Sequence, residues 1–178
     1  MSYAQLLERY PKATINRWLR EQVLVSQGED QYTLDQLTAY VDGLILAQWA
    51  VPGGIIGGRT ALVFHELTVA MPKMVDMSLP PTWEGTLPTD LGIRSLSVPA
   101  PLRNYGVQTV YPTPPGTVPV QMYIPAVALA QVWADPEVTE EDKLDGLVMY
   151  RAFWDDEPRL QEALERYGVI VPSVVTLA

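Results

Sequence analysis

The chain has 178 residues, 48% hydrophobic and 19% charged, with a formal net charge of −9 and no cysteine. That length and composition suit one domain, or one domain with a small appendage, around a real core; they exclude disulfide frameworks, thiolate chemistry and cysteine-ligated zinc. The acidic total excludes a chain coated for nucleic acid, and no apolar run is long enough to cross a bilayer, so a cytoplasmic protein with no membrane partner is expected.

Charge is unevenly spread. Residues 1–20 hold Arg9, Lys12, Arg17 and Arg20 against Glu8 alone, a local net of +3, whereas residues 136–165 hold ten acidic side chains. Any contact with a polyanion therefore belongs at the N-terminus. There, Ser2 is placed to cap a helix over residues 3–10, which Pro11 breaks. Thr14 is placed to cap a second helix over residues 15–22, with Ile15, Trp18 and Leu19 on one side and Asn16, Arg17 and Arg20 on others. Residues 23–26 read as a strand, 27–30 as a turn and 31–34 as the returning strand. Two helices and a hairpin are the outline of a helix-turn-helix with a wing, whose second helix enters the major groove. The competing reading is a helical cap with a hairpin over the core, and Glu29 and Asp30 in the turn would repel phosphates.

Residues 37–50 are strongly apolar and predict a buried helix linking this head to the rest, with Gly43 allowing a close helix contact. The expected division is a head with its linking helix over 1–50 and a body over 51–178. In the body, the glycine pairs Gly53-Gly54 and Gly57-Gly58 predict a turn. Two helical turns over residues 59–67 follow, using Leu62 and Leu67 as apolar contacts, and Pro72 stops them. The period then changes to two, with Val75, Met77 and Leu79 facing one way and Met74, Asp76 and Ser78 the other. This stretch reads as a packing unit without a reactive group.

Residues 80–92 form a Pro-, Thr- and Gly-rich loop. Strands are predicted over 93–98 and 107–111, then a stiff turn over 111–116. A further strand has Val118, Val120, Met122 and Ile124 on one face, and Pro119 marks an edge or a strand start. About four short strands imply one mixed or antiparallel sheet. Pro125 begins a helix ending near Ala134. The run Thr139-Glu140-Glu141-Asp142 resembles a capping box before Leu144, Leu147 and Val148. Asp155 to Glu157 and Pro158 start a last helix, with Leu160, Ala163, Leu164 and Tyr167 as its stripe and Gly168 as its stop. The tail over 169–178 either adds a strand or packs on another surface.

Reactive chemistry is sparse. His65, the only histidine, sits on an apolar helix, where a packed, hydrogen-bonded role is expected rather than catalysis. The GGIIGG run lacks the Lys-Ser/Thr of a phosphate-binding loop. Glu141, Asp142 and Lys143 with Asp135 have the residue types of a metal-dependent nuclease, but acidic residues at a helix start favour the helix dipole. Asp155, Asp156 and Glu157 are explained the same way, as helix-capping residues. No catalytic residue, metal ligand or cofactor is expected, so the chain is not read as an enzyme.

One family pattern runs through the body. It comprises Gly57-x-x-Thr60-Ala61-Leu62-x-x-His65-x-Leu67-Thr68, then Pro72 and the strand ending at Pro80. Leu102-Arg103-x-Tyr105-Gly106-Val107 and Val120-Gln121-Met122-Tyr123-Ile124-Pro125-Ala126 complete it. Over residues 53–168 the chain resembles the AbiEi-type antitoxin and transcriptional-regulator family. The resemblance implies an α+β protein: a winged helix-turn-helix followed by a mixed β-sheet domain with C-terminal helices. The family has a further helix ahead of the two found here, so the expected winged helix is a reduced one. By the same analogy Lys12, Thr14, Asn16, Arg17 and Arg20 hold the DNA-binding positions. The implied function is repression of its own operon, with operator double-stranded DNA as partner, and countering of a nucleotidyltransferase-like toxin. The alternative is a non-catalytic protein-interaction module without DNA binding, favoured by the net charge and the missing helix.

Overall fold

A computed structural model describes residues 24–28, 31–34, 36–68, 70–88, 91–112 and 118–171, together with Ala4, Leu7, Lys12, Ile15 and Leu19; of residues 24–28, 31–34 and 36–39 it describes the backbone. The chain divides into two units, Met1–Gly43 and Leu44–Ala178. Among the described residues it is an α+β protein with five helices and a mixed five-stranded sheet. No described helix is long and apolar enough to cross a membrane.

In the first unit Ala4, Leu7, Lys12, Ile15 and Leu19 are helical. Lys12 lies between the two expected helix ranges, 3–10 and 15–22. Ile15 is fully buried, whereas Leu7 and Leu19 are partly exposed; the remainder of both expected helices lies outside the described residues. Next, β1 (Leu24–Gly28) pairs antiparallel with β2 (Gln31–Leu34), Leu24 opposite Leu34 and Ser26 opposite Tyr32. The register shifts between Ser26 and Gly28, as when one residue is inserted near a hairpin turn.

Helix α1 (Gln36–Ala50) matches the expected linking helix and runs across the division between the units. It is not buried throughout: Leu44, Ile45 and Ala47 are covered, and Trp49 is half exposed. Among the described residues Gly43 makes no close approach: a Cβ there would meet nothing within 4 Å.

The second unit corrects the reading of its glycine run. Ile55 and Ile56 form a strand, β3 (Ile55–Ile56), at the centre of the sheet, whose order is β5-β4-β3-β7-β6. Helix α2 (Gly58–Phe64) follows at once. Then come β4 (Val75–Ser78), β5 (Ile93–Ser95), a 3₁₀ turn (Ala100–Leu102), β6 (Val107–Val110) and β7 (Val120–Tyr123). β3 runs antiparallel to β4 and parallel to β7; β5 is parallel to β4, and β6 antiparallel to β7. β5 stops at Ser95, short of the expected Val98. β7 is internal, so Pro119 marks a strand start and not an edge. Of the stiff turn expected over 111–116, residues 113–116, and of the tail over 169–178, residues 172–178 lie outside the described residues.

Helices α3 (Pro125–Ala134), α4 (Glu140–Phe153) and α5 (Glu157–Arg166) complete the unit. α3 is the centrepiece: every residue from Pro125 to Val132 is buried, and α2, α4 and α5 all pack on it. An all-round apolar helix of this kind needs cover on every side. Pro125 begins it, at a position where a missing N–H costs nothing. Thr139 Oγ1 caps α4 by accepting from Asp142 N at 3.2 Å. Asp156 caps α5 by accepting from Arg159 N at 3.3 Å. Gly168, at φ +66°, ends α5, and Val169 N then donates to Leu164 O at 2.9 Å, the bond of a glycine-closed helix end.

Candidate functional site

Of the five expected DNA contacts, Lys12 is helical and exposed. Thr14, Asn16, Arg17 and Arg20 lie outside the described residues. The turn residues Glu29 and Asp30 do also.

In the second unit the polar chemistry gathers where β3 hands over to α2. Asp76, in β4, is 1% exposed, a buried carboxylate within a stretch read as a packing unit without a reactive group. Its Oδ1 accepts from Arg94 Nε at 2.7 Å and its Oδ2 from the backbone N–H of Arg59 at 2.8 Å. Its own N–H donates to Thr60 Oγ1 at 2.8 Å, and its carbonyl accepts from Gly57 N at 2.9 Å. The pairing with Arg94 follows from register: β4 and β5 are parallel with Asp76 opposite Arg94, so the two charges meet across one strand gap. Arg94 also reaches Asp135 Oδ2 at 2.8 Å and Glu137 Oε2 at 2.9 Å. The Asp76 and Asp135 carboxylates raise the Arg94 guanidinium above its ordinary range, chiefly through the bond to Asp76. It stays charged, and it ties strand to helix instead of exchanging a proton.

Beside this cluster, Gln131 of α3 accepts from Gly58 N at 2.9 Å and donates to the Tyr167 hydroxyl at 3.0 Å. Burial pushes that phenol up to about 12. Gly57 and Gly58 are glycines for reasons of space. A Cβ on Gly57 would overlap Gln131 Oε1 and lie 2.8 Å from the Tyr123 ring; Gly58 has φ +53°, and a Cβ there would lie 2.6 Å from Asp76 Oδ2. A cleft of about 510 Å³ opens next to these groups, with Arg94, Gln131, Asp135 and Tyr167 in its lining.

His65 has the packed role its surroundings predicted. It closes α2 and is bonded through Nε2 to the Tyr123 carbonyl at 2.9 Å. A carbonyl only accepts, so Nε2 carries the proton. Burial lowers its pKa, against an upward pull from that bond. The Tyr123 hydroxyl in turn donates to Arg103 O at 2.7 Å. Of the four residues with nuclease-like composition, Asp135 pairs with Arg94 at 2.8 Å, Lys143 is buried and pairs with Glu140 at 3.0 Å, Glu141 is exposed, and Asp142 sits at the capped start of α4. Among the described residues no group of three His, Asp or Glu could hold a metal ion.

The Asp76–Arg94 pair is not visible in the sequence, since nothing in the chain states a parallel register. The one available signal is an aspartate inside an apolar strand, which has to be paired if buried. No family model matches the chain, and comparison with curated proteins finds no significant match.

Proposed function

We propose that the chain is a DNA-binding transcriptional regulator of the antitoxin type, acting on its own operator in the cytoplasm. The observation that carries this reading is in the first unit. Helical backbone at Lys12, Ile15 and Leu19 leads into the antiparallel hairpin of β1 and β2, with Ile15 buried and Lys12 exposed. That order, in the one basic stretch of an acidic chain, suits a reduced winged helix. The second helix would lie in the major groove, with Lys12, Arg17 and Arg20 on phosphates and Thr14 and Asn16 beside them. The antitoxin assignment and the toxin partner rest on the AbiEi-type resemblance of residues 53–168. The groups traced in the second unit are occupied in holding its fold, which suits a non-catalytic scaffold.

The test is a titration of promoter DNA with the full chain carrying Lys12→Ala, Arg17→Ala and Arg20→Ala. Removing one cation from a phosphate lowers the slope of log K against log salt by about 0.9. Weaker binding with a slope shallower by two to three such steps is expected. Unchanged affinity and slope would overturn the DNA reading. The acidic balance then favours the second reading, a protein-interaction module, in which a single protein partner is retained and DNA is not.

A further inference from the structure

The five-stranded sheet ends at β5, and register shows which of its backbone groups are engaged. β4 and β5 run parallel, with Val75 opposite Ile93 and Met77 opposite Ser95. Val75 N donates to Gly92 O and Leu96 N to Met77 O, both at 2.8 Å. Gly92 and Leu96 thus face β4. Successive residues of a strand address opposite sides, so Ile93 and Ser95 turn their N–H and C=O groups to the side where the sheet has no further strand. Ser95 is exposed, and among the described residues neither of these backbone groups of Ser95 is bonded. Open edges are commonly guarded by proline or by charge. β5 carries no proline, and its one charge, Arg94, is bonded to Asp76, Asp135 and Glu137 instead.

The edge also borders a cleft. Residues 94–98 line the cleft of about 510 Å³ together with Gln131, Tyr167 and residues 134–137, a volume that suits a short ligand segment. Met74, Leu96 and Val98 give it apolar lining. The Tyr167 hydroxyl accepts from Gln131 at 3.0 Å, and among the described residues its own proton has no acceptor. Charge in the lining is unbalanced, because Asp135 and Glu137 outnumber Arg94, and the Glu137 side chain is 74% exposed.

We propose that this edge and cleft take an extended peptide segment of a protein partner, one that alternates apolar β-branched residues with lysine or arginine. The occupant is specified by the unpaired backbone at Ser95, since an extended chain is what supplies an N–H and a C=O at ladder spacing. Its apolar side chains would meet Met74, Leu96 and Val98, its cations Asp135 and Glu137, and one of its carbonyls the Tyr167 hydroxyl. The proposal rests on the second unit alone and is independent of the DNA reading.

The probe is an acetylated, amidated hexapeptide of alternating valine and lysine, titrated into the full chain while backbone amide shifts are followed. Saturable shifts concentrated on residues 93–98 and 131–137 are expected, with slowed hydrogen exchange at the Ser95 N–H. The same peptide with every backbone nitrogen methylated keeps its side chains and loses the ladder, and should give none. Ser95→Pro removes an N–H that the fold itself does not use, and should weaken binding about tenfold. Glu137→Gln should weaken it about threefold, and this difference should shrink at high salt. Shifts elsewhere, no shifts at millimolar peptide, equal binding of the methylated peptide or of a valine–glutamate counterpart, or unaltered binding by either variant in its folded form would each overturn the proposal. Circular dichroism establishes that the variants are folded; if Ser95→Pro is not, the methylated peptide decides the question of the ladder. Self-association of the free chain that the valine–lysine peptide disperses would also overturn the proposal, since the edge of a second copy would then be the occupant.

Discussion

Replacing Asp76 with alanine removes the acceptor at the centre of the Asp76–Arg94 cluster. The carboxylate is 1% exposed and holds two donors, Arg94 Nε and Arg59 N–H. Removing one partner of a buried ion pair costs about 3–5 kcal/mol, because the other charge stays buried alone. Arg94 keeps Asp135, whose side chain is 15% exposed, and the more exposed Glu137; this moves the cost to the lower end, about 3 kcal/mol. The orphaned Arg59 N–H adds about 1 kcal/mol. Asp76→Ala should therefore lose about 3–4 kcal/mol of the roughly 5–15 kcal/mol typical of a domain. Urea unfolding followed by tryptophan fluorescence reads this as a lower midpoint at unchanged slope. Combined with Arg94→Met, the loss should fall short of the two single losses added together by more than about 1 kcal/mol, because each single variant strands the other's charge. A loss below about 1 kcal/mol, or strict additivity, would refute the account of Asp76 as the tie between β4, β5 and α2.

Further outcomes follow from the same contacts. Gly57→Ala should cost about 1–3 kcal/mol, read as a lowered Tm, since Gln131 is held on both sides and cannot yield to the new methyl group. His65 contributes to the pH dependence with a definite sign. Its folded pKa lies below its ordinary 6.5, so the unfolded chain binds the proton more readily. This contribution is complete above pH 6.5 and is lost as pH falls from there through the folded pKa, by at most about 1.4 kcal/mol per pH unit. Unfolding titrations of His65→Gln should be flatter in that window. Glu66→Gly should raise stability by about 0.5–1 kcal/mol, the relief of left-handed strain less the extra chain entropy of glycine; thermal melts of both proteins test it.

The helical layer was legible because its signals are local. Pro125 at a helix start, Thr139 as a cap, Asp156 before Pro158 and Gly168 as a stop each act through neighbours within a turn. The centre of the sheet was not legible. β3 is two residues long, too short to show a period, and its flanking glycines carry the chemistry of turns. Their real cause lies far along the chain, in Tyr123, Gln131 and Asp76 pressing on the backbone. The four residues of β4 are all buried, so an alternation that would mark one wet face was only apparent. Arg94 stands 18 residues from its partner, and only the parallel register brings the two together. His65 was readable as a packed residue from its lack of partners in sequence, but its acceptor, 58 residues away, was not.

The second unit departs from local preference in two places, and the departures have different explanations. At Gly57 and Gly58 the flexible residues are answered by close packing against α3 and by bonds to Asp76 and Gln131, so their cost is offset within the fold. At Glu66 and Asp155 the direction is reversed: a residue with a side chain stands where glycine would be favoured, and the helix-closing bonds, Leu67 N to Leu62 O at 2.8 Å and Asp155 N to Tyr150 O at 3.3 Å, offset the strain. Packing against distant residues therefore accounts for the first departure, and the closing of two helices accounts for the second.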